Sequence, residues 1–127
     1  MKEFMLLVRN KVDHLAHLSP DENQQFLKAC QTYIANLTKE GKLKAAQPLI
    51  REGIILSGSG SEWKQVPFNE GKEVQVGYYH ILANNIEEAI EIAKGNPEFA
   101  YTSTARVEVR PVKMVEQTTQ YVYPGQN

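Results

Sequence analysis

Within the otherwise largely apolar run Val74 to Ala83 stands His80. An imidazole titrates near neutral pH, so on a strand it serves as acid, base or ligand, or sits as a core histidine satisfied by its neighbours. Arg106, Glu108 and Arg110 alternate with Val107 and Val109. Two-residue spacing puts the three charges on one strand face. There the guanidinium groups can hold an anionic small molecule through bidentate contacts, or the set can form a salt-bridge network at an interface. Tyr78 lies two residues from His80, and Lys72 and Glu73 come just before the apolar run. These three complete the candidate ligand-binding set, with Lys72 and Glu73 either orienting a ligand at the sheet end or pairing with each other in water.

Asp13, His14 and His17 offer a carboxylate and two imidazoles one helical turn apart, the ingredients of a divalent-metal site. A polar surface loop accounts for them as well, and the spacing fixes no third protein ligand. Gly58-Ser59-Gly60-Ser61 is not followed by Lys-Ser/Thr or by a helix start, so it fails as a phosphate loop and reads as a flexible hairpin loop. No cofactor is implied. Cys30 falls among Phe26, Tyr33 and Ile34 at helical spacing, where a thiol behaves as a small hydrophobe rather than a nucleophile. Trp63, Tyr101, Tyr121 and Tyr123 are too dispersed for a base-stacking platform.

The elements that must position these groups are legible from caps and periods. Glu3 to Arg9 is a short apolar run with a charge at each end, which predicts a central strand buried on both faces. Ser19-Pro20-Asp21-Glu22 combines an N-cap, Pro at the first helical position and a capping box. Phe26, Leu27, Cys30, Tyr33, Ile34 and Leu37 then recur at three- and four-residue spacing, and Gly41 suits a left-handed C-cap. From Leu43 to Pro67 come short β segments: a strand over Leu43 to Ile50 placed at a sheet edge by Pro48, then a hairpin pairing Ile54 to Ser57 with Trp63 to Val66. Val74 to Ala83 is a buried strand, Asn85-Ile86-Glu87-Glu88 starts a second helix stopped by Gly95 and Pro97, and Ala105 to Val112 is a strand with one apolar face. The domain is expected over residues 1–112, with Lys113 to Asn127 an arm or frayed tail.

Strand, helix, strand with an inserted hairpin, strand, helix, strand is the β-α-β-β-α-β order of the ferredoxin-like α+β fold. Both helices then cover one sheet face, and nothing in the chain is left to cover the other. A second copy related by two-fold symmetry is the economical cover, giving a homodimer. The chain has 127 residues with 14 Lys+Arg against 15 Asp+Glu. That balance provides no field to grip a phosphate backbone, so no nucleic-acid partner is expected. The lone cysteine and the shortness of the apolar run Phe4 to Val8 predict a cytoplasmic protein with no membrane span.

Ordered motifs also carry a resemblance: Lys42-Leu43, Gln47-Pro48-Leu49, Pro67-Phe68-Asn69-Glu70-Gly71-Lys72-Glu73, Gly77-Tyr78-Tyr79-His80-Ile81, Glu87-Glu88-Ala89-Ile90, Asn96-Pro97 and Val107-Glu108-Val109-Arg110-Pro111. Over Glu3 to Val112 the chain resembles the YCII-related proteins, in particular the group named for an Asp-Gly-Pro-Phe motif. The resemblance implies a ferredoxin-like domain dimerised as an α+β barrel, relatives encoded beside sigma factors, and relatives proposed as enzymes for a His-Asp pair in a cleft. Here Gln65-Val66 replaces the Asp-Gly, so no role of that carboxylate carries over. Two function classes follow. One is a homodimer that binds or transforms a small polar molecule in a cleft lined by His80, with His80 as the catalytic candidate, and by Arg106, Glu108 and Arg110. The other is a non-enzymatic regulatory module that contacts a protein partner through the sheet edge, the hairpin loop or the C-terminal arm.

Overall fold

A computed structural model describes residues 1–125. Six strands and three helices follow in the order β1 (Lys2–Asn10), α1 (Pro20–Lys39), β2 (Leu43–Pro48), β3 (Ile54–Gly58), β4 (Trp63–Pro67), β5 (Val74–Ala83), α2 (Ile86–Lys94), α3 (Glu98–Tyr101) and β6 (Arg106–Pro111). The main sheet runs β2-β5-β1-β6 and is antiparallel at each pairing, while β3 and β4 form a separate two-stranded hairpin. This is the expected α+β order, with β1 central and the Pro48 strand at an edge.

Strand alternation then decides what faces what. Phe4, Leu6, Val8 and Asn10 of β1 are buried, whereas Glu3, Met5, Leu7 and Arg9 between them are half-buried. The expectation that β1 is buried on both faces is therefore corrected: only its helix-facing side is sealed. Tyr79, Ile81 and Ala83 of β5 join that core with Ala89 and Ala93 of α2, and Val107 and Val109 of β6 pack against it. The opposite face carries Met5 between His80 and Arg110, and Leu7 between Tyr78 and Glu108. Arg106, Glu108 and Arg110 thus turn away from the helices, as the alternation predicts.

Ser19 caps α1 as expected: its hydroxyl accepts from the Glu22 amide at 3.1 Å, and its own amide donates to the Glu22 carboxylate at 3.0 Å. The Ser19 amide bond to the carboxylate, with a further contribution from the Ser19 side chain, holds the Glu22 carboxyl below its ordinary value of 4.5. The helix is nevertheless poorly sealed, because Leu37 alone among its residues is buried and Leu27 is well exposed. The C-terminal half is tied down, with the Tyr33 hydroxyl donating to the Ile92 carbonyl at 2.6 Å and its ring packing edge-on against Tyr79. Burial pushes the Tyr33 phenol well up and that of Tyr79 to about 12. Past β6, Lys113 to Gly125 folds back on itself. Val115 bridges to Val122, the Tyr123 amide donates to the Met114 carbonyl at 2.9 Å, and Lys44 donates to the Gly125 carbonyl at 2.7 Å. Gln126 and Asn127 of the expected arm lie outside the described residues. Among the described residues no helix is long and apolar enough to cross a membrane.

Candidate functional site

Two places gather the groups with chemical capacity, one on each side of the sheet. On the side away from the helices, His80 Nε2 lies 2.7 Å from Glu3 Oε1, and Lys44 Nζ donates to the same oxygen at 3.2 Å. Arg9 Nε donates to Glu73 Oε1 at 2.7 Å, Arg106 lies 3.5 Å from the other Glu73 oxygen, and Arg110 lies 3.6 Å from Glu108. The Arg9 guanidinium is held above its ordinary value chiefly by its hydrogen bond to Glu73. The sheet therefore brings His80, Tyr78, Glu73 and the β6 charges to one face, but each charge has an opposite partner and Glu73 pairs with arginines rather than with Lys72. A lattice of this kind neutralises itself.

On the helix side, the stand-off of α1 leaves a groove of about 550 Å³ between it and the β2–β5 edge. Phe26, Leu27 and Ile34 form one wall, and Leu49 and Val76 the other. The apolar stripe expected to sink into the core is thus partly the lining of an opening. Of the expected site residues its lining includes Tyr78 but not His80, Lys72, Glu73, Arg106, Glu108 or Arg110.

The floor is polar: His14, Asn96 and Glu98 line it, and a hydrogen-bonded cluster supports it from below. Asn10, fully buried at the end of β1, donates from Nδ2 to Glu98 Oε1 and to Thr102 Oγ1, each at 2.9 Å. Its Oδ1 accepts from the Lys11 amide at 2.9 Å and the Thr104 hydroxyl at 2.6 Å, so every hydrogen-bonding site of the amide is used. Pro97 places Glu98 at the start of α3, and the Glu98 amide donates to Asn96 Oδ1 at 2.8 Å. That leaves Asn96 Nδ2 buried with no hydrogen-bond partner among the described residues. His14 enters from the turn before α1, with Nε2 3.0 Å from Glu98 Oε1 and both side chains only 7–8% exposed.

His14 Nδ1 lies 3.0 Å from the Lys11 carbonyl, which can only accept, so that nitrogen carries a proton. Nε2 then meets the carboxyl with either a second proton of its own or a proton on Glu98. The pair can therefore hold one proton at the groove floor and pass it on. Cys30 lines the same groove, and burial pushes its thiol up to about 11, with Glu98 adding to the effect. This agrees with the expectation of an unreactive cysteine.

The candidate metal trio does not converge. His14 turns to Glu98, His17 Nε2 lies 3.3 Å from the Tyr101 carbonyl, and no group of three or more His, Cys, Asp or Glu side chains among the described residues is disposed to hold a metal. Asn10, Asn96, Glu98 and Thr102 were not legible as site residues. The one signal is that Asn10 continues the two-residue spacing of Phe4, Leu6 and Val8. It therefore had to fall on a buried face, where a polar side chain requires partners.

Fold and site together define an α+β domain with a four-stranded antiparallel sheet, one face closed by helices over a polar-floored groove. A family model described as a YCII-related domain matches residues 2–113, and the chain belongs to the YCII-related family. No curated protein matches the chain.

Proposed function

We propose that the chain works as a homodimer in which each subunit binds or transforms a small molecule in the groove under α1, with His14 and Glu98 as the proton-handling pair. The observation that carries this reading is the His14–Glu98 contact of 3.0 Å at the floor of a concave, mostly apolar opening. A buried imidazole and carboxyl facing a groove is the pattern expected of a binding or catalytic site. His80 keeps a supporting place on the other face. There Met5, Leu7 and Tyr78, flanked by the Glu3–His80–Lys44 cluster and the β6 charges, form the surface that a second copy would cover.

A small-molecule library screened by ligand-observed NMR tests the groove. Hits whose binding is lost in His14→Gln or Glu98→Gln support it, whereas a screen whose hits all survive both substitutions refutes it. Sedimentation of the full chain tests the dimer. The expected mass is two chains, falling to one in Leu7→Asp, and a single-chain mass for the unsubstituted protein ends that part.

One observation favours the interaction-module reading. The β3–β4 hairpin exposes Ile54, Ile55, Leu56 and Trp63 to 53–63%. A two-stranded ribbon is marginal alone in water, and its apolar side chains suit a protein partner, including one of the sigma-factor type. Loss of a co-purifying partner on replacing Ile55 and Trp63 by Ser would favour this reading over the first.

A further inference from the structure

Six ionisable side chains line the groove: His14, Cys30, Arg51, Tyr78, Tyr79 and Glu98. Glu98 is already engaged by Asn10 and His14. Arg51 follows β2 on the groove wall, is exposed, and takes part in none of the ion pairs among the described residues. The groove therefore presents one unspent cation and no unspent anion, together with an unspent buried donor at Asn96 Nδ2. Its walls at Leu27, Ile34, Leu49 and Val76 are apolar, and about 550 Å³ is room for a ring system or a short branched chain. A planar guanidinium matches a planar carboxylate through two parallel hydrogen bonds.

Building on the groove reading above, we infer that the ligand is an amphipathic organic carboxylate, its aromatic or branched aliphatic body on the apolar walls and its acidic group at Arg51. The body supplies most of the affinity through burial, and the rim cation sets the preference for an anion. A single exposed cation suits a single negative charge; a phosphoryl group would call for several donors converging on it.

The test is a titration of the ¹⁵N-labelled full chain with 1-naphthylacetate and with its neutral isostere 1-naphthylacetamide. The acid should shift the amide signals of Leu27, Ile34, Leu49 and Val76 and bind about fivefold tighter than the amide, the most an exposed guanidinium–carboxylate contact gives. Arg51→Gln should erase that preference while leaving the amide's affinity unchanged. Equal binding of acid and amide to the groove overturns the carboxylate assignment and leaves the groove reading intact. Shifts confined to the β3–β4 hairpin or the sheet face, or no shifts with either compound, overturn both.

Discussion

Replacing Asn10 by Ala removes the buried support beneath the groove residue Glu98, and its cost can be worked from the four hydrogen bonds at 2.6–2.9 Å that the amide makes. The bond to Glu98 is to an ionisable carboxyl and contributes about 1.5–3 kcal/mol, while the other three contribute about 1 kcal/mol each. Part of this is recovered. Thr102 keeps its own bond to the Glu98 carbonyl, and the Lys11 amide and Thr104 hydroxyl are only part-buried, within reach of water. A net loss of about 3–4 kcal/mol remains, most of it from a buried carboxyl left with His14 as its one side-chain partner. In a chain of this size that lowers Tm by about 10 °C or more. The assay is urea unfolding at constant protein concentration, followed by far-UV circular dichroism because Trp63 sits on the outlying hairpin and reports little of the core. Asn10→Asp, which turns the donor toward Glu98 into another acceptor, should be at least as damaging at neutral pH. A loss below about 1 kcal/mol for both variants would show that the floor is not the hydrogen-bonded clasp described, since burying the amide without those bonds could not be that cheap.

Burial raises Cys30 from 9.0 to about 11, which lowers its thiolate fraction about a hundredfold at neutral pH. Iodoacetamide should label the native protein far more slowly than the urea-unfolded chain, and a native rate that matches the unfolded one refutes the assignment. At Gly77 a Cβ would meet the Gln47 carbonyl oxygen at 3.0 Å and Pro48 Cα at 3.3 Å, both backbone. Gly77→Ala must therefore push the β2 edge away at a cost of about 1–3 kcal/mol, visible as a lower urea midpoint. Ser19→Ala removes the side-chain cap of α1 and should cost about 1 kcal/mol in the same assay. Because the Glu22 carboxyl is held down in the folded chain, its share of the cap is fully present above about pH 4.5 and lost as acid lowers the pH through its folded value. Midpoints measured on either side of that range should converge between Glu22→Gln and the parent as the pH falls.

Most of the framework was legible because it is written locally. The capping box at Ser19, the cap at Asn85 and the two-residue alternation from Arg106 to Arg110 each lie within a few residues, and each element formed where its signal stands. Register carried the reading further: once Val107 and Val109 face the helices, the β6 charges must face the other way. What could not be read was the convergence of distant residues. Asn10 meets Thr102 across 92 positions and Glu98 across 88, and neither partner belongs to a periodic pattern. The short α3 that carries Glu98 has only Pro97 to announce it, so the helix that builds the floor passed as a stop signal. His80 attracted attention because it breaks an apolar run. His14 stood out only as a candidate metal ligand beside Asp13 and His17, whereas it is the one turned inward on Glu98.

The apolar stripe of α1 shows why composition and spacing alone mislead about a site. Phe26, Leu27, Cys30 and Ile34 have the period of a core helix, and closing that helix onto β2 and β5 would bury more surface and gain dispersion contacts. The chain forgoes this. Tyr33 and Leu37 hold the C-terminal half down, while the polar floor of Asn96, Glu98 and His14 sits beneath the N-terminal half, where helix side chains packed directly on it would leave its donors and acceptors with apolar neighbours. The polar floor and the apolar wall are thus incompatible with each other as core and compatible as the two ends of a ligand site. The same logic separates the two sheet faces. Charges on the outer face are paired off against one another, which suits a surface that meets its own copy, whereas the groove keeps Arg51 and Asn96 Nδ2 unspent, which suits a surface that meets something else.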